Sequence, residues 1–157
     1  MAAPVTITVG GMADLDAVML VMADSFDPTF GEAWTDPQCV GILGMIGSWL
    51  LVARVAGVPA GFALSRAIAG EGELLLIGVR PQHRQRGIGT ALLDRVTADA
   101  RALGVTAFHL EVREGNPAIA LYERNGFHRI GRRPNYYRGR DGTARDALTY
   151  KRDLSVI

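Results

Sequence analysis

Arg84-Gln85-Arg86-Gly87-Ile88-Gly89-Thr90 follows an apolar run, Leu74-Leu75-Leu76-Ile77-Gly78-Val79, and opens a helical pattern reaching about Leu103. A strand that feeds a glycine-rich turn at a helix start can hold an anion. Glycine lets backbone N–H groups approach phosphate oxygens, and the peptide dipoles add roughly half a positive charge there. The same pattern also begins helices that bind nothing, so by itself it leaves a phosphate cradle and a structural turn both open. Other reactive residues are sparse. Cys39 is the one cysteine, which excludes an internal disulfide and a multi-cysteine zinc site. Its neighbours Val40, Ile42 and Leu43 suit a buried thiol better than a nucleophile. His83, His109 and His128 stand at no metal-ligand spacing, so no metal is expected.

The elements that must position such a turn follow from periodicity. Val5–Val9 alternates and predicts an edge strand, and Leu15, Val18, Met19, Met22 and Phe26 predict a helix from Asp14 to Phe26. Asp27-Pro28 breaks it. Thr35-Asp36-Pro37-Gln38 carries a capping box with proline in the first turn, which starts a second helix to about Ile46. Trp49–Val55 and Pro59–Arg66 form a hairpin around Ala56-Gly57-Val58, and Trp49 is expected in the core. Glu73–Val79 is a strand, and the helix after the turn buries Leu92, Leu93, Val96, Ala100 and Leu103 before Gly104 ends it. Thr106–Val112 is a strand and Asn116–Arg124 a short helix stopped at Asn125-Gly126. Phe127–Arg132 and Leu148–Leu154 close the pattern, with a polar loop from Pro134 to Arg145 between them.

A chain of 157 residues, 48% hydrophobic, suffices for one domain with a proper core. No repeat or linker divides it, so residues 1–157 are read as a single α/β domain with a mixed sheet. A net charge of +1 argues against bulk nucleic-acid or membrane binding. Arginines cluster from Arg129 to Arg152 with Asp141 and Asp146 to offset them, which reads as a solvated basic edge. No apolar run is long enough to span a bilayer and no leader pattern opens the chain, so a cytoplasmic location is expected.

Taken together, Arg84-x-x-Gly87-x-Gly89 after an Ile-Gly-Val strand, Leu110-Glu111-Val112-Arg113, Asn116, Ala120-Leu121-Tyr122-Glu123 and Gly126-Phe127 resemble the GNAT acetyltransferase superfamily. Within it, this composite and the tail Arg132-Arg133-Pro134-Asn135-Tyr136-Tyr137, followed by Asp146-Ala147, are similar to the bacterial ribosomal-protein alanine N-acetyltransferases, the RimI type. Two departures stand out. The interval from Asn116 to Tyr122 is one residue shorter than usual, and Pro134 interrupts the Arg-Arg-Asn-Tyr-Tyr run.

The resemblance implies a mixed sheet of about seven strands flanked by about four helices, with acetyl-CoA as donor. Its pyrophosphate would rest on backbone amides of Arg86, Gly87, Ile88, Gly89 and Thr90. Arg84 and Arg86 would add charge, Gln85 would line the same turn, and the Thr90 hydroxyl could join. The strand before the turn splays from its neighbour in this family. The pantetheine arm would then lie along Ile77, Gly78 and Val79, with the Val79 N–H as oxyanion donor and Asn116 facing the arm. Two glutamates compete for the general base. Glu111 matches the RimI-type position, and Glu73 matches the histone-acetylating branch. Tyr122 is the candidate acid, protonated at neutral pH, and would also touch the cofactor. Trp34, Asn135, Tyr136 and Tyr137 would border the acceptor.

The acceptor implied is a protein N-terminal amine, of the ribosomal-protein alanine type. A small amine (polyamine, amino acid or antibiotic) and a noncatalytic acyl-CoA-binding module are the alternatives. No nucleic-acid or membrane contact is expected, and monomer and dimer both remain open.

Overall fold

Residues 3–154 are described by the computed structural model. Its strands are β1 (Val5–Gly10), β2 (Ser48–Val55), β3 (Val58–Ile68), β4 (Glu71–Val79), β5 (Ala107–Arg113), β6 (His128–Arg138) and β7 (Ala144–Asp153). Together they form one sheet in the order β1-β2-β3-β4-β5-β7-β6. Four α-helices flank it: α1 (Leu15–Ser25), α2 (Asp36–Leu43), α3 (Ile88–Ala102) and α4 (Ile119–Arg124). Neighbouring strands run antiparallel except β4 and β5, which are parallel and joined through α3.

Alternation along the strands builds two cores, because successive side chains leave opposite faces. Leu50 and Val52 of β2 and Phe62 and Leu64 of β3 meet Val18, Val21 and Met22 of α1 and Cys39 of α2. Leu51, Ala53 and Ala63 turn the other way, onto Leu92, Leu93 and Val96 of α3. On β5, Phe108, Leu110 and Val112 join this second core, while His109 and Glu111 are only half-buried on the opposite face.

One irregularity makes the site. β4 and β5 pair only from Glu71↔Ala107 to Leu74↔Leu110, yet β4 runs on to Val79 and β5 to Arg113. Beyond Leu74 the two strands part, as the family resemblance implies.

Several boundaries differ from expectation. α2 stops at Leu43 rather than near Ile46, because the Met45 N–H closes onto Ile42 O three residues back at 2.9 Å and Ser48 Oγ donates to Met45 O at 2.9 Å. β3 and β4 lengthen into a second hairpin around Ala69-Gly70, both at positive φ. The polar loop expected from Pro134 to Arg145 is mostly strand. Pro134 and Asn135 do not end β6; they break its register between Arg133 and Tyr137, with Asn135 at φ 56°. Leu103 is 60% exposed, since it caps α3 after the last turn that could face the core. Among the described residues, no helix is long and apolar enough to cross a membrane.

Candidate active site

The parting of β4 and β5 opens a cleft of about 820 Å³. One end of it is the start of α3. Gly87 caps that helix at φ 76° and no side chain caps it, so the first-turn N–H groups remain unclaimed. Gln85, Gly87, Ile88, Gly89 and Thr90 all line this end, whereas Arg86 does not. Gly89 packs closely on α4: a Cβ there would stand 3.3 Å from the Cδ2 of Leu121, which would have to shift slightly. Arg84 is less free than its charge suggests. Its Nε donates to Val79 O and its Nη2 to Ser25 O, both at 3.0 Å, tying the end of β4 to the end of α1.

Ile77, Gly78 and Val79 line the middle. The Arg80 N–H donates to Ala60 O on β3. N–H directions alternate along a strand, so those of Ile77 and Val79 point into the gap. Asn116 also borders the cleft, but its amide is committed. Its Oδ1 accepts the Ala118 N–H at 2.8 Å and its Nδ2 donates to Glu32 Oε2 at 2.7 Å.

Glu73, Glu111, Tyr122, Trp34, Tyr136 and Tyr137 converge on the same cleft. Glu111 is 15% exposed; its Oε1 accepts from Arg133 Nε at 2.9 Å and its Oε2 is buried without a partner. Glu73 lies on the neighbouring strand, more open to solvent. Its carboxyl is held above the usual range by loss of solvation and by the Glu111 charge, against the pull of His109 and Arg133. Tyr122 is buried, packing its ring edge-on to Phe127 with centroids 6.1 Å apart. Burial and the nearby Glu32 charge push its phenol well above the ordinary value, so it stays protonated throughout the physiological range. The same two causes act on Tyr137, whose ring meets that of Tyr136 edge-on at 5.0 Å. Asn135 lies outside the cleft: it is exposed in the β6 bulge, its N–H bonded to Asp146 Oδ1 at 2.9 Å.

Beside Trp34, the loop between α1 and α2 brings Phe30 and Glu32 to the cleft, two residues the sequence did not single out. Glu32, 10% exposed, bonds Arg113 Nε at 3.0 Å. The Arg113 guanidinium lies 3.7 Å from the centre of the Phe30 ring, and that of Arg145 lies 4.9 Å from it. Arg145 also donates to Thr29 O at 3.1 Å. The middle of the loop between α1 and α2 is thereby pinned to Arg113 of β5 and Arg145 of β7. The only sequence signal was a charge and an aromatic in a short loop, with partners 81 and more positions away.

Elsewhere, Cys39 is buried and its thiol is pushed up by burial and by Asp36, as a structural thiol should be. Trp49 packs against the α3-side core. The basic edge is more neutralised than expected, since Arg132 bonds Glu114 as well as Asp146. Among the described residues, no group of three or more His, Cys, Asp or Glu is placed to hold a metal ion.

The sequence pattern of the Acetyltransferase (GNAT) family matches residues 17–127. The ribosomal protein bS18-alanine N-acetyltransferase of Escherichia coli is 40% identical over 101 residues, 64% of this chain and 68% of that protein. An N-alpha-acetyltransferase RimI of Mycobacterium tuberculosis is 36% identical over 147 residues, 90% of this chain and 84% of that one. The crystal structure of the ribosomal-protein-S18-alanine N-acetyltransferase from Escherichia coli matches with a TM-score of 0.87 at 29% identity, covering 98% of this chain and 96% of that one.

Proposed function

The chain belongs to the GNAT acetyltransferase family and is an N-acetyltransferase, and from that premise we propose that it acetylates the α-amine of a protein N-terminus, alanine first, with acetyl-CoA as donor. The observation that carries this reading is the separation of β4 from β5 beyond Leu74 and Leu110, with an uncapped helix start at one end and a carboxylate–phenol pair at the other.

Acetyl-CoA, when bound, supplies an activated acyl group and a thiolate leaving group. The residues fit it. The α3 N-terminus offers N–H groups and dipole to a pyrophosphate, and the gap-facing N–H and C=O of Ile77 suit an amide-bearing arm. The Val79 N–H is available to an acyl oxygen that gains negative charge. Asn116, with its amide committed to Glu32 and Ala118, shapes the wall.

Glu111 is the base that takes a proton from the acceptor ammonium, directly or through a water. Tyr122 is the acid. Its raised pKa keeps the phenol protonated and able to donate, and burial likewise makes a thiolate leaving group in the same cleft more basic. Trp34, Tyr136 and Tyr137 form the aromatic walls for an extended peptide, with Tyr136 half-open to solvent. The relatives named for alanine and N-alpha acetylation support the peptide acceptor over a small amine.

A panel tests this. Peptides beginning with alanine, the same peptides blocked at the N-terminus, lysine side chains and free polyamines are offered with acetyl-CoA, and products are read by mass spectrometry. Acetylation of the open alanine peptides alone is expected. Activity confined to free amines overturns the acceptor, and acetyl-CoA binding without turnover of any amine overturns the enzyme's chemistry.

A further inference from the structure

The Glu111–Arg133 pair is lopsided. Glu111 is 15% exposed and fixed on β5, whereas Arg133 on β6 is 62% exposed. Its guanidinium already lies 5.6 Å from the centre of the Tyr136 ring, so a second resting place is at hand. A smaller cleft, of about 350 Å³ on the open face of the sheet, meets the large one at Glu73 and Glu111, and Arg133 lines it. Arg133 therefore stands at the junction, on the candidate base, where an acceptor amine has to arrive.

The other charged or titratable groups there come from several elements. They are Arg66 of β3, Glu71 and Glu73 of β4, His109 beside Glu111 on β5, and Tyr136 and Tyr137 of β6; β7 lines the cleft with the uncharged Thr149 opposite Glu111 and carries Lys151 on the same face opposite His109, its Nζ 3.4 Å from Asp153 Oδ1. Arg66 is turned away to Ile46 O at 3.1 Å and His109 toward Glu71 at 3.5 Å. Of the cations, Arg133 alone bonds Glu111 among the described residues.

We propose that Arg133 is a displaceable counter-ion: it holds the acceptor's ammonium position on Glu111 and is exchanged for that ammonium, cation for cation, when the acceptor docks. This rests on reading Glu111 as the base. The exchange leaves the local charge unchanged, so the acceptor enters as an ammonium and gives up its proton only beside Glu111. Neutral amine isosteres are disfavoured, because displacing Arg133 with one would leave Glu111 without its bonded cation. A largely exposed ion pair is weak, as a placeholder must be. Arg133 is thus a positioning residue that sets acceptor affinity and the charge state of the empty site.

The test uses the full chain and an alanine-initiated peptide, comparing wild type with Arg133→Gln and Arg133→Lys. With its competitor gone, Arg133→Gln should bind the peptide roughly two- to five-fold more tightly, in Kd and in KM, the range an exposed ion pair is worth. The gain should lie in KM, with kcat within about two-fold of wild type, because the exchange precedes proton transfer. Arg133→Lys should restore the wild-type KM. Weaker or unchanged peptide binding by Arg133→Gln overturns the proposal. Full turnover by Glu111→Gln would instead remove the base assignment. The peptide Kd of Arg133→Gln needs no turnover, so the two failures are distinguishable.

Discussion

Glu73 and Glu111 stand on neighbouring strands of the same open face, and their surroundings separate them. Both line the two clefts, but the Glu111 side chain is 15% exposed and holds Arg133, while the Glu73 carboxyl is raised by partial desolvation and by the charge of its neighbour. Glu111→Gln should lower turnover by about 10²–10⁴-fold, the usual contribution of a general base, with the acetyl-CoA Kd unchanged in a titration. Tyr122→Phe should likewise lose turnover strongly and keep acetyl-CoA binding; unchanged turnover removes Tyr122 from the reaction. Glu73 carries a stability signature instead. Its carboxyl is raised in the folded chain, so its folded-state benefit is complete below the unfolded pKa and disappears as pH rises through the folded one. Glu73→Gln should therefore melt above wild type at pH 8, and the two melting points should converge by about pH 4, near the ordinary glutamate pKa. Glu111 and Tyr122 were legible in the sequence because each sits inside a short local motif. Glu32 was not, because its meaning lies in Arg113 and Asn116, which only folding brings to it.

At the scale of elements, the start of α3 and the α1–α2 loop do the positioning. A Cβ on Gly87 would meet nothing within 4 Å, so a side chain there is penalised only through the left-handed backbone. Gly87→Val should cost about 1–2 kcal/mol and weaken acetyl-CoA binding by tilting the first turn, measured by denaturation and by titration. The loop is pinned by charges that are nearly buried, Arg113 at 9% and Glu32 at 10% exposure. Glu32→Ala leaves Arg113 unpaired and should destabilise the fold by about 3 kcal/mol in urea unfolding, while raising the acceptor KM as Phe30 and Trp34 loosen. The beginning of α2 was legible because its capping box is local: Thr35 and Gln38 bond each other's backbone as their types demand. The strand through Pro134 was not, since a proline that ends an isolated pattern is tolerated as a bulge when β7 supplies the rest of the ladder.

Across the whole molecule, α1 and α2 cover one face of the sheet at β2 and β3, while α3 and α4 cover the other. The far half of the first face carries Glu73, Glu111 and Arg133 in a hollow of its own. The two clefts meet at Glu73 and Glu111. The sequence by itself determined the family and marked the segments that line the cleft, because the glycine turn, the Leu-Glu-Val-Arg strand and the Leu-Tyr…Gly-Phe helix are contiguous and each is read within a few residues. Only the tertiary structure decided how far β4 and β5 pair, that Arg84 and Asn116 are tied to protein groups, and that Glu32 and Arg133 enter the site. Those are matters of which distant chains lie side by side, and hydrophobic spacing states that a face is buried without stating against what.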